Sequence, residues 1–157
     1  MSHRLLLSLL CLAVLITSSC ERSLREANAA SMNRRLSQCA MLELVAPSGA
    51  VGSRAERSLL RWCGVLKIPL NRVDPHQGVT DNPRVVVGSF DDPQMRLLVE
   101  ATGAKITSEG GLQWVDREFK GVDVALVATF EDPDRAGLPV TLLAGSTLEA
   151  LESLALD

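Results

Sequence analysis

The segment Arg84–Ser89 (R-V-V-V-G-S) constrains the fold of this chain more than any other. Its consecutive valines would make both faces of an extended strand apolar, because side chains alternate between the faces. Such a strand is typical of the interior of a parallel sheet, where helices cover both sides. Asp92 and Pro93 follow as a helix N-cap and first helical residue. The segment therefore predicts a central parallel strand that leads into a helix.

After residue 38, apolar strands alternate with amphipathic helices, which indicates an α/β fold. The segment 112–144 has the pattern of an antiparallel meander, so the sheet is expected to be mixed. We therefore expect a single mixed, mostly parallel sheet flanked by about three helices. Helices are predicted over residues 54–63, 93–102 and 146–156, and strands over 40–46, 65–73, 84–89, 104–107, 112–115, 117–119, 122–130 and 139–144.

Residues with known capping roles mark the ends of these elements. Gly64 is predicted to end the first helix, and Ser146 with Glu149 forms a capping box at the start of the last. Pro69 has no N–H to donate, so the strand over 65–73 is expected either to lie at an edge of the sheet or to be broken at Pro69.

Residues 1–19 are predicted to be a signal peptide. Arg4 supplies a positive charge, and an apolar run interrupted only by Ser8 follows over residues 5–16. A run of about a dozen residues is too short to cross a hydrocarbon core of ~30 Å as a helix, which needs roughly 20 residues.

Ser18, Ser19 and Cys20 resemble the end of a lipobox, with Thr17 where a Leu, Val or Ile is usual. The resemblance to bacterial lipoproteins implies that acyl chains anchor the protein through the Cys20 sulfur after cleavage before Cys20. Glu21 stands where Asp retains enteric lipoproteins in the inner membrane, which favours the outer membrane, on its periplasmic or surface face. Two alternatives stay open: an ordinary secretory signal cut near Ser19, and a retained membrane anchor.

The remaining chain is divided into a tether over residues 20–38 and an α/β domain over residues 39–157. The tether is polar and partly helical, with Leu24, Met32 and Leu36 as a thin apolar stripe. The chain carries 19 acidic and 16 basic residues and no Tyr, and no basic stretch is interleaved with aromatics, so nothing indicates nucleic-acid binding.

Three predicted strands each lead through a Gly/Ser turn into a helix. If the strands are parallel, these turns share the carboxyl edge of the sheet, where open α/β sheets bind ligands and helix N-termini present free N–H groups. The pattern indicates a shallow rim for a small polar or anionic ligand, although the same residue types also make tight turns and caps. The rim residues are Ser48, Gly49, Gly88, Ser89, Gly145 and Ser146.

No catalytic residue, metal ligand or cofactor is predicted. The G-x-S-x-G nucleophile motif is absent from the sequence, and His76 is the only histidine after the signal peptide. The acidic pairs at 91–92 and 131–134 are interpreted as caps and turns.

Cys39 and Cys63 are predicted to meet, because one precedes the first strand and the other ends the helix that runs back along it. A disulfide would close a loop of about 25 residues and contribute roughly 3–4 kcal/mol. The alternative is a pair of buried thiols.

Residues 84–157 are similar in layout to an α/β module of secreted bacterial proteins, including regions beside M1-type metallopeptidase domains and in envelope proteins. The matching segments lie at 85–88, 130–135 and 138–151. The peptidase signature H-E-x-x-H is missing, so the resemblance implies an accessory module and no active-site residue.

Together these patterns predict an envelope lipoprotein with a non-catalytic α/β domain that binds a protein or small polar ligand or acts structurally. Two alternatives belong to other classes. One is a hydrolase-like enzyme that uses the rim at Gly49, Ser89 and Ser146, and the other is an accessory segment of an exported peptidase.

Overall fold

The computed structural model describes residues 30–46, 54–74, 80–121 and 123–152. Cys20, Ser48, Gly49 and His76 therefore lie outside the described residues. The helices are α1 (residues 30–37), α2 (Arg54–Leu66), α3 (Pro93–Ala101) and α4 (Leu148–Glu152). The strands are β1 (Leu42–Val45), β2 (Leu70–Val73), β3 (Arg84–Ser89), β4 (Ala104–Ile106), β5 (Leu112–Trp114), β6 (Arg117–Phe119), β7 (Ala125–Glu131) and β8 (Pro139–Gly145).

Five strands form the main sheet in the order β2-β1-β3-β8-β7. The first four are mutually parallel, and β7 is antiparallel to β8. This arrangement confirms the α/β class, the mixed and mostly parallel sheet, the central place of β3 and the edge position of β2. The strand predicted over 65–73 is shorter than expected, because residues 65–66 continue α2 and β2 begins only at Leu70, after Pro69. The structure adds a separate antiparallel sheet of three strands, β4-β5-β6, so part of the predicted meander leaves the main sheet.

The valines of β3 face two different halves of the core. Val85 and Val87 lie in a cluster with Leu36 of α1 and Leu59 of α2, whereas Val86 lies with Met95 and its neighbours in α3. Helices cover both faces of β3, so both faces must carry apolar side chains, and consecutive valines provide them. This is why the valines predicted a central strand.

Helix α1 belongs to the folded domain. Met32 and Leu36, one helical turn apart, are both buried, and Leu36 joins the core under α2 and β1. We expected residues 20–38 to be a polar tether, but its second half packs against the sheet. Within the described residues, no helix is both long and apolar enough to span a membrane.

Helix α2 continues past Gly64, where we predicted its end. It closes instead at Lys67, which has a positive φ of 56°. The N–H of Ile68 donates to the carbonyl of Cys63 at 3.0 Å, and that of Lys67 to Gly64 at 3.3 Å. These bonds form a Schellman motif with Lys67 at the position usually taken by glycine. The predicted capping box at α4 also differs, because Thr147 Oγ1, not Ser146, accepts from the N–H of Ala150 at 3.0 Å.

Candidate functional site

The structure brings four of the six predicted rim residues to one edge of the sheet. Strands β3 and β8 are parallel neighbours, and Ser89 lies in register with Gly145. Gly88 and Ser146 flank this pair at the same carboxyl edge. Since β1 is also parallel to β3, Ala46 at the end of β1 lies at this edge too.

The two rim hydroxyls bond to nearby backbone groups. Ser89 Oγ donates to the carbonyl of Ser146 at 3.5 Å and accepts from the N–H of Asp91 at 3.3 Å. Ser146 Oγ accepts from the N–H of Val124 at 3.2 Å. These bonds stabilise the turns after β3 and before β7, as expected for turn-making serines. Ser89 therefore has no side-chain base among its described partners, which a serine nucleophile requires.

Both rim glycines lie directly beneath helices. A Cβ on Gly88 would lie 2.7 Å from Met95 Cε of α3, and one on Gly145 would lie 2.7 Å from the carbonyl oxygen of Thr147. Close packing of α3 and α4 over the sheet thus accounts for these glycines without a ligand. Binding at the rim stays a prediction.

The opposite, amino edge of the sheet holds a buried ion cluster that sequence reasoning missed. We call Glu43, Arg84, Asp132 and Arg135 the N-edge cluster. Asp132 is 1% exposed and accepts from Arg84 Nη2 at 2.9 Å and from Arg135 Nε at 2.8 Å. Arg84 Nε also lies 2.8 Å from the second Asp132 oxygen. The pattern Asp132-Pro133-Asp134 was interpreted as a simple turn, although its first carboxylate holds two guanidinium groups.

Glu43 completes the cluster from the middle of β1. Its carboxylate accepts from Thr80 Oγ1 at 2.7 Å and from Asn82 Nδ2 at 3.3 Å, and it lies 3.9 Å from Arg135 Nη1. That same Nη1 donates to the carbonyls of Thr80 and Asn82 at 3.0 and 2.8 Å. The cluster therefore joins β1, β3 and the β7–β8 loop. A glutamate inside an otherwise apolar strand was the sequence signal for it.

The charges of the N-edge cluster are used within the fold. Each carboxylate is held by arginine, hydroxyl or amide groups, and Asp134 adds a further contact to Arg84 Nη2 at 3.0 Å. Arg135 Nη2 is buried and makes no hydrogen bond within the described part of the chain. In the ranges that the structure describes, no group of three or more His, Cys, Asp or Glu residues could hold a metal ion.

A groove lies beside one edge of β7, which among the described strands pairs only with β8. Its cavity of about 560 Å³ separates the start of β7 from the small sheet. Trp114 and Phe119 are each 42% exposed and Val127 is 44% exposed. We call this feature the β7 groove; its lining residues are Leu112, Trp114, Phe119, Lys120, Asp123, Val124, Ala125, Leu126 and Val127.

Cys39 and Cys63 are thiols in the structure and contact the same core cluster. Burial raises the pKa of the Cys39 thiol against the opposing effect of backbone hydrogen bonds. Burial also raises the pKa of Cys63, and repulsion from a Cys39 thiolate raises it further. The disulfide between them stays a prediction, and intact mass after alkylation with and without reductant tests it.

Comparison with models of protein families, with curated proteins and with solved structures gives no match to this chain. The similarity of residues 84–157 to a peptidase accessory module therefore stays a prediction, and no residue role is transferred from it.

Proposed function

We propose that this chain is a lipid-anchored protein of the bacterial cell envelope whose α/β domain binds another polypeptide. The observation that carries the anchor is the apolar run ending at Ser18-Ser19-Cys20. Acyl chains on Cys20 would hold the domain at a membrane, because each buried methylene contributes ~0.8 kcal/mol.

Intact-mass analysis of the membrane fraction tests the anchor. Wild-type chain beginning at Cys20 with added acyl mass is the expected product, and Cys20→Ser is expected to be released from the membrane. A wild-type product that lacks the acyl mass contradicts the proposal.

The β7 groove supports the binding half of the proposal. An unpaired strand edge offers backbone N–H and C=O groups to an added strand, and the neighbouring apolar side chains give it pockets. Strand β7 has no Pro, and Glu131 at its end is its only charged residue, so the edge lacks the usual features that block pairing. The occupant is therefore an extended peptide with apolar side chains that reach Trp114 and Phe119.

A displayed library of random peptides, selected on the purified full chain, tests this binding. Selected peptides are expected to lose most of their binding to Val127→Lys, which places a charge on the strand edge. Val65→Lys is the matched control, because Val65 is also exposed but lies on α2. Equal binding to both variants, or selection of no peptide, contradicts the groove as the binding surface.

A further inference from the structure

Large apolar side chains are exposed at the C-terminal end of α2. Val65 is 76% exposed, Leu66 is 38% and Trp62 is 37% exposed, and we call these three residues the α2 tip. They are not required for the core, since Glu56, Leu59 and Cys63 supply the buried side of this helix. A clustered, exposed apolar surface of this kind is typical of a site that contacts another protein or a membrane.

Two cationic side chains flank the α2 tip. Arg61 and Lys67 are exposed within and directly after the helix. The only acidic residue of α2 is Glu56, which is buried and bonded to Arg72. This surface is thus positive in a chain whose formal net charge is −3.

The α2 tip lies at the amino edge of the sheet, because Ile68 and Pro69 connect it to the start of β2. Helix α1 also ends at this edge, and its first residue, 30, where the chain from Cys20 reaches the described domain, lies roughly 10 Å back along that helix. The N–H of Leu42 donates to the carbonyl of Pro69 at 2.9 Å, just beyond the tip. Whatever conformation residues 20–29 adopt, they span at most roughly 35 Å.

From these features we infer that the α2 tip docks on the anionic headgroup surface of the membrane that holds Cys20, an inference that rests on the proposed anchor. Trp62 lies at the level of the headgroups, as tryptophan prefers, and Val65 and Leu66 enter the acyl boundary. Arg61 and Lys67 contact anionic phosphates. The β7 groove lies at the carboxyl edge, on the far side of the sheet, and stays open to its peptide.

The two tryptophans of the chain, Trp62 and Trp114, make the docking measurable. Trp114→Phe leaves Trp62 as the only indole, and Trp62→Phe leaves Trp114 as a matched reporter on the β7 groove. Each full-chain variant is mixed with phosphatidylcholine vesicles that contain or lack phosphatidylglycerol. Tryptophan fluorescence is then recorded with brominated lipid in the vesicles as the quencher.

On phosphatidylglycerol vesicles, we expect Trp62 emission to shift to shorter wavelength and to be quenched several-fold more than Trp114. Salt at 1 M, where the Debye length is ~3 Å, should reduce the quenching, and so should Val65→Glu. Equal quenching of the two indoles, or quenching that salt leaves unchanged, overturns the inference. A concentration-dependent shift of Trp62 without vesicles also overturns it, since a second copy would then cover the tip.

Flotation of the same vesicles separates this inference from the proposed anchor. For a lipid anchor, we expect the wild-type chain to float with phosphatidylcholine vesicles in high salt and the Cys20→Ser variant not to float. If both float equally, the anchor fails, and Trp62 quenching on phosphatidylglycerol still reports docking. If the wild type floats and Trp62 is not quenched, docking fails and the anchor stands.

Discussion

At the amino end of the parallel strands, charged side chains are buried against one another, whereas at the carboxyl end glycines and serines meet the first turns of helices. Asp132 and Arg135 are buried at the amino end, and Gly145 and Ser89 represent the carboxyl end. Ligands of open α/β sheets bind at carboxyl ends. The buried charges of the N-edge cluster are thus paired within the fold, at the end opposite the expected ligand edge.

The largest expected effect is that of removing the central carboxylate of the N-edge cluster. Asp132→Asn leaves two buried guanidinium groups with too little negative charge, and breaking such a buried pair costs about 3–5 kcal/mol. Chemical denaturation of the full chain measures this loss in the free energy of unfolding.

The matched control for this change is Asp134→Asn. The Asp134 side chain is 65% exposed, and we expect a loss below about 1 kcal/mol although it contacts the same Arg84. Equal losses in the free energy of unfolding from the two substitutions would show that the effect of Asp132 does not depend on its burial.

At the carboxyl end, the expected effects are steric and smaller. Gly145→Ala forces a methyl group against the backbone oxygen of Thr147, and overpacking of this kind costs about 1–3 kcal/mol. Gly88→Ala meets only the flexible end of Met95, which can move, so its cost should be lower. Thermal unfolding of both variants checks the order, and a larger loss from Gly88→Ala would contradict it.

A smaller effect is expected at the cap of α3. Asp92 accepts from the N–H groups of Gln94 and Met95 at 2.8 and 3.4 Å, so Asp92→Ala should cost about 1 kcal/mol. Its neighbour Asp91 is exposed, and Asp91→Ala should change stability little. Denaturation midpoints of the pair test the cap, and matching midpoints would exclude it as a contributor.

The smallest effect concerns the thiols at the amino end. Because burial raises the pKa of both Cys39 and Cys63, the folded state disfavours their thiolates. Their contribution to stability is present below the unfolded pKa and is lost as pH rises through the folded pKa. Alkylation of the reduced full chain by iodoacetamide should therefore begin at a higher pH for Cys39 and Cys63 than for an unfolded cysteine. An alkylation profile that matches the unfolded chain contradicts the shift.

Elements whose chemistry is local were predictable. The valines of β3 predicted a central strand because both faces of that strand are buried, and Asp92-Pro93 predicted the start of α3 because capping depends on neighbours in sequence. The end of α2 was not predictable in this way. Gly64 has open space around it and fits within the helix, while Lys67 takes the left-handed position because Ile68 is buried beyond it.

The sequence by itself determined the α/β class, the central strand and the approach of the turns at Gly88-Ser89 and Gly145-Ser146 to one edge, since these follow from periodicity and turn chemistry. Only the tertiary structure decided that Glu43 lies within reach of Arg135, and that Met32 and Leu36 belong to the core. It also decided that β4–β6 form a sheet of their own. The physical reason is that pairing of buried charges and burial of a thin apolar stripe depend on partners far away in sequence, which no local pattern specifies.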